Sequence, residues 1–229
     1  LSFAVITLFL ATPALAEEFT ATFYPQGKRD TVLFTQPQTE QKTGDVVNFL
    51  RRVYVGPDKK EVAVEEVIFE GGKVKTFRLD QKQVNEQGTL EVKDGRVHFS
   101  YTAGGNTKTD TETMSPDLVV SPMLIAYLRA GWETLLKGGT LKARLAVLDR
   151  KETVGFQFTK IGEAEANGRP VVLVQMKPSS FVIAALVKPI RLTLDKETAR
   201  VVESSGRVVP KQMVGGKWEA LDADGVYKY

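Results

Sequence analysis

"TLEVKDGRVHFSY", residues 89–101, is the stretch that decides the fold. Leu90 and Val92 alternate with polar residues into Asp94-Gly95, and Val97, Phe99 and Tyr101 alternate out of it. A period of two belongs to a strand, whose successive side chains point to opposite faces. Asp-Gly suits a two-residue hairpin turn, which needs positive φ at both positions. The stretch predicts an antiparallel hairpin with one apolar and one solvated face. His98, the sole histidine, falls on the solvated face.

The same pattern extends in both directions. Gly56-Pro57-Asp58-Lys59 fits a type I turn, and Gly71-Gly72 is a hairpin dipeptide. Gly104-Gly105-Asn106, Asn167-Gly168 and Asp195-Lys196 are further breaks. Between them "DVVNFLRRVYV", "KEVAVEEVIFE", "KVKTFRLDQKQV", "LKARLAVLD", "ETVGFQFTKI", "RPVVLVQM" and "IRLTLD" read as strands. Turns spaced 8 to 14 residues apart predict sequential antiparallel pairing, a meander. There is no internal repeat and no linker, so residues 17–229 are expected to form a single β-rich domain.

"SPMLIAYLRAGWETLLKGG", residues 121–139, interrupts the strands. Ser121 suits an N-cap, Pro122 the first helical position, and Gly138-Gly139 the stop. Leu124, Ile125, Leu128, Trp132, Leu135 and Leu136 form one apolar stripe at helical spacing. That stripe needs an apolar partner, and only sheet is available. The predicted fold is mainly β: a curved antiparallel meander, half-barrel or open barrel, with one amphipathic helix across its concave face.

A second apolar segment, Phe181 to Val187, lies between Pro178 and Pro189. The prolines favour a short helix or compact loop. It is either a core plug at one end of the sheet, or a lid or membrane-touching loop in which Phe181, Ile183 and Leu186 make the contacts.

The opening "LSFAVITLFLATPALAEE" has the apolar run and the Ala14-Leu15-Ala16 pattern of a secretory signal peptide, residues 1–16. Cleavage is expected after Ala16, with export to the periplasm. The run is shorter than the roughly 20 apolar residues of a membrane span. With no Cys, neither disulfides nor thiolate chemistry is available. A net charge of +3 does not argue for nucleic acid. Lys137 to Lys151 carries five Lys or Arg against Asp149, either a solvated face or a patch for anionic headgroups. One His without Cys fits no common zinc cluster and makes Ser-His-Asp catalysis unexpected. No nucleotide-binding glycine motif is present. Glu65 and Glu66 are adjacent and point to opposite faces in a strand. Asp110 with Glu112, and Asp149 with Glu152, are the carboxylate pairs an enzyme acting on glycans would use; a solvated edge and a turn salt bridge are the plainer readings. No catalytic residue, metal or cofactor is expected.

What remains is an apolar concave face. Leu124, Leu128 and Trp132 of the helix would meet Phe77, Leu79, Phe156 and Phe158 of the sheet, either as packed core or as the wall of a pocket.

A Cys-free, exported antiparallel meander interrupted by a helix resembles the half-barrel of the periplasmic lipoprotein carriers LolA and LolB. The segments "GPDKKEVAVEEVIFEGGKVKTFRL" (56–79) and "LAVLDRKETVGF" (145–156) are similar to uncharacterised secreted proteins of Gram-negative bacteria. The carrier resemblance implies a non-catalytic binding module for acyl chains of a lipid or lipoprotein. The alternative is a structural or interaction protein of the cell envelope with a fully packed core. A transmembrane barrel, prompted by Tyr227-Lys228-Tyr229, is opposed by the helix and by charges on both strand faces.

Overall fold

The computed structural model describes residues 19–185 and 187–229. The expected signal peptide and its cleavage after Ala16 lie outside the described residues, as does Leu186. The first eight strands are β1 (Phe19–Pro25), β2 (Phe34–Thr43), β3 (Val46–Val55), β4 (Glu61–Glu70), β5 (Lys73–Gln81), β6 (Glu86–Lys93), β7 (Arg96–Ala103) and β8 (Asn106–Thr113). A short β9 (Leu118–Val119) leads into the helical segment. After it come β10 (Thr140–Val147), β11 (Glu152–Ala166), β12 (Arg169–Pro178), β13 (Ile190–Asp195), β14 (Val201–Val214) and β15 (Lys217–Lys228).

All fifteen belong to one sheet, ordered β8 to β1 and then β15 back to β9. Neighbours are antiparallel, except that β9 lies parallel to β10. The hairpin of residues 89–101 sits where its alternation puts it: Leu90 opposes Phe99 and Val92 opposes Val97. Asp94 and Gly95 take φ of 50° and 70°, as the two-residue turn requires. Leu90, Val97 and Phe99 are buried, and His98 is exposed on the other face.

The two edge strands, β8 and β9, are consecutive in the chain and joined by residues 114–117. Five Cα steps reach at most roughly 18 Å. The edges of the sheet are therefore held close together, and the sheet must curl into an open barrel. One side chain stitches the gap, and a second, on β10, fixes its partner on β11. The Glu112 carboxylate on β8 accepts from the Thr153 amide at 3.1 Å and from its hydroxyl at 2.7 Å. Arg144 donates to the Thr153 hydroxyl at 2.8 Å and carbonyl at 2.7 Å.

The helical segment begins with a 3-10 turn, Ser121–Met123, followed by α1 (Leu124–Ala130) and α2 (Trp132–Leu136). The sequence pattern predicts one unbroken helix; the structure breaks it at Gly131. A Cβ there would sit 2.4 Å from Leu141 Cδ1, so the backbone approaches β10 more closely than any side chain allows. Ser121 does not cap the helix through its side chain. Its hydroxyl turns to Glu65 instead.

Leu128, Trp132 and Leu135 bury their stripe against Phe158, Val172, Val174, Met176 and Leu194 of β11–β13. A second core gathers Leu50, Val67, Phe77, Leu90 and Phe99 of β3–β7 under Leu118, Val120 and Leu148. A third joins Phe23, Phe34, Tyr54 and Leu221 where the first and last strands pair. Each apolar residue buried in this way contributes about 1.5–3 kcal/mol.

Candidate functional site

The three cores leave a cavity of about 490 Å³ between them, inside the curl of the sheet. Phe77 and Leu79 of β5, Leu124 and Leu128 of α1, and Phe156 of β11 line it. So does Ile183 of α3 (Phe181–Ala184). Six of the predicted wall or lid residues thus meet around one space. Trp132 and Phe158 do not; they are packed in the core beside it, with Trp132 Nε1 donating to the Lys196 carbonyl at 3.2 Å. Phe181 faces outward and is 88% exposed, and Val182 beside it is 70% exposed. None of the α3 residues Phe181–Ala184 is buried, so these four do not plug the core.

The part of the wall that sequence reasoning missed is polar. Gln38, Arg52, Glu65 and Leu79 form one inward row across β2–β5, each opposite the next. Two residues along each strand are Gln36, Tyr54, Ala63 and Gln81, which form the adjoining row because side chains two apart share a face. Arg52 donates from Nε to Gln38 Oε1, and from its terminal nitrogens to the carbonyls of Ser121 (3.2 Å) and Pro122 (2.9 Å). Glu65 Oε1 accepts from the Ser121 hydroxyl. Both residues therefore fasten the start of the helical segment to the sheet. The signal for them was present in the sequence. Arg51-Arg52 lies opposite Glu65-Glu66, so alternation places one pair outside and the other inside. Arg51 and Glu66 pair on the outer surface at 3.2 Å.

Burial pushes the Glu65 carboxyl above its ordinary range; the Arg52 charge and the hydroxyls of Ser121 and Tyr54 draw it back. Burial likewise pushes the Tyr54 hydroxyl well up, and the Glu65 carboxylate adds to that. An ionised group loses its hydration inside a protein, and only paired charges or hydrogen bonds replace it.

On the far wall, β14 leaves its ladder with β15 between Arg207 and Lys211. Val208, Val209 and Pro210 turn into the cavity there. Gln81 Nε2 donates to the Val209 carbonyl at 2.7 Å, and Lys211 Nζ reaches Glu86 at 2.7 Å, tying β14 across to β5 and β6. Arg150, Lys188, Arg207 and Asp149 complete the charged part of the lining. Among the described residues no three His, Asp or Glu side chains gather as a metal site, and no helix is long and apolar enough to cross a membrane.

The fold and its lumen define a mainly β protein built as one curled antiparallel sheet around an internal cavity. The chain is similar in structure to a beta-barrel-like protein of the domain of unknown function DUF1849 from Brucella abortus, with 9% identity, a TM-score of 0.43, and coverage of 92% of this chain and 93% of that one. It is also similar to a DUF1329 family protein from Desulfovibrio piger, with 10% identity, a TM-score of 0.29, and coverage of 92% and 82%. No protein-family model and no curated protein matches the sequence.

Proposed function

We propose that the protein is a non-catalytic binding or carrier module of the periplasm that takes an apolar chain of a lipid or lipoprotein into its lumen. The supporting observation is the cavity of about 490 Å³, walled by Phe77, Leu79, Leu124, Leu128 and Phe156. Small-ligand sites run to roughly 300–1,000 Å³ and are mostly apolar. Each methylene taken from water into such a wall contributes about 0.8 kcal/mol. The α3 segment serves as a lid, with Ile183 turned to the ligand and Phe181 and Val182 meeting whatever delivers it. The mature chain begins at Glu17, which an intact mass of the exported protein checks.

The first test is native mass spectrometry of protein released gently from the periplasm, with lipid extraction of the same sample. A stoichiometric amphiphile is expected. A bare mass that stays bare after adding lauric acid and monolauroyl glycerol would overturn the reading. A second reading, an envelope interaction protein, is favoured by the tip of the β14–β15 hairpin, where Met213, Val214 and Trp218 are exposed. Co-purification of one protein partner, lost when Trp218 is replaced by Ser, would support it.

A further inference from the structure

Three oxygen atoms of the polar rows make no short, well-aligned hydrogen bond among the described residues, Gln36 Oε1, Glu65 Oε2 and Gln81 Oε1, and the Tyr54 hydroxyl stands beside the first two residues. Their residues are 2%, 0% and 8% exposed, and all three line the cavity. Acceptors so buried are almost always paired in folded proteins. The Gln81 amide orientation is set. Gln81 Nε2 donates to the Val209 carbonyl, so a flip would turn oxygen against oxygen. Gln36 and Glu65 share the Tyr54 hydroxyl, whose single proton serves one of them and leaves the other acceptor bare. Glu65 already spends its other oxygen on Ser121.

The chemistry of the missing partner follows from these atoms. Two acceptors are left calling for donors, which a carboxylate, phosphate or sulfate lacks. A full cation is not favoured either, since Arg52 lies opposite Glu65 and offsets the one carboxylate of the two rows. Hydroxyl groups supply donors without charge. We propose that Gln36, Glu65 and Gln81 form the head-group site of this cavity and bind the hydroxyls of an uncharged polyol or glycan head, whose acyl chain lies along Phe77, Leu79, Leu124 and Phe156. The inference rests on the carrier reading of the same cavity and specifies what kind of amphiphile it carries.

The experiment compares amphiphiles with the same twelve-carbon chain, below their micellar concentrations, by titration calorimetry. The probes are monolauroyl glycerol, laurate and dodecyltrimethylammonium. The wild-type protein is expected to bind monolauroyl glycerol at least tenfold tighter than the other two. Gln36→Leu and Gln81→Leu should each weaken monolauroyl glycerol about tenfold, one hydrogen bond's share, and leave laurate unchanged. Gln36→Leu leaves the Gln81–Val209 bond intact, so a folding defect in Gln81→Leu does not remove the test. Equal binding of all three probes, unchanged in both variants, would overturn the head-group site and leave the carrier reading standing; water would then fill the rows. Preference for laurate would also overturn it, placing the head among Arg150, Lys188 and Arg207. Binding of none of the three would defeat the carrier reading, and this inference with it.

Discussion

Arg52 fastens the start of the helical segment to the sheet. Its donors satisfy Gln38 and two carbonyls at the start of the helical segment. Arg52→Met would leave those carbonyls bare and the Glu65 carboxylate without a compensating charge. Removing one member of a buried pair costs about 3–5 kcal/mol. Urea unfolding should show a loss of that size with an unchanged slope; a loss below about 1 kcal/mol would mean the latch is immaterial. Glu65 makes a separate prediction about pH. Its carboxyl is raised above 4.5 in the folded protein, so the folded state holds the proton more tightly than the unfolded chain. Wild-type stability therefore falls as pH rises from the ordinary carboxylate range through the raised value, and the loss is complete above it. Glu65→Gln has no proton to lose. Its stability relative to wild type should climb with pH across that window and level off on either side. Glu163, held down to about 2 by Lys160 and Lys196, is common to both proteins and cancels. Thermal midpoints of the two proteins between pH 4 and 8 read the difference directly. Glu65 was legible only in part. Alternation fixes that Glu65 and Glu66 face opposite ways, but charged residues are so rarely buried that it does not mark which of them enters the lumen.

The helical segment shows how a local preference loses to packing. Gly→Ala inside a helix ordinarily gains about 1 kcal/mol. At Gly131 the added Cβ would lie 2.4 and 2.6 Å from the two methyls of Leu141. Gly131→Ala should therefore destabilise by about 1–3 kcal/mol, the usual cost of overpacking. In a Leu141→Ala background the clash is gone, and the same change should become neutral or stabilising. A double-mutant cycle on chemical denaturation measures the coupling; additive effects would place the cause of the break elsewhere. The stripe from Leu124 to Leu136 was readable because it follows the period of a helix. The close approach to β10 was not, because it depends on where a strand ten residues further on is placed. The same distinction holds among the strands. β6 and β7 announce themselves, since their inner faces are apolar. β2, "FTQPQTEQKT", does not, because its inner positions are Gln36 and Gln38. Alternation fails to mark a strand when the face it buries is the polar part of a lumen.

At the scale of the whole molecule, the sheet runs unbroken through the pairing of its first and last strands, β1 and β15, and is left open at β8 and β9. Curling hides most of its inner face, yet the closure is made by side chains rather than by a ladder. Turn spacing in the sequence predicts neighbours along the meander, but the meeting of two edges depends on the accumulated twist of fifteen strands and has no local signature. Glu112 carries the closure, accepting both the amide and the hydroxyl of Thr153. A hydrogen bond to a charged acceptor is worth about 1.5–3 kcal/mol. In Glu112→Ala the edges should part before the rest of the barrel unfolds, since regions with few shared contacts open independently of the global transition. Hydrogen exchange should accelerate by tenfold or more in β8, β9 and the start of β11. The central ladders β12–β14 and the β1–β15 pair should keep wild-type protection. If protection fell equally in every strand, the seam would belong to a single cooperative unit, and the barrel would behave as closed despite its missing ladder. If it fell nowhere, the Glu112 bonds would be immaterial to the seam, and the short connection between β8 and β9 would hold the edges together without them.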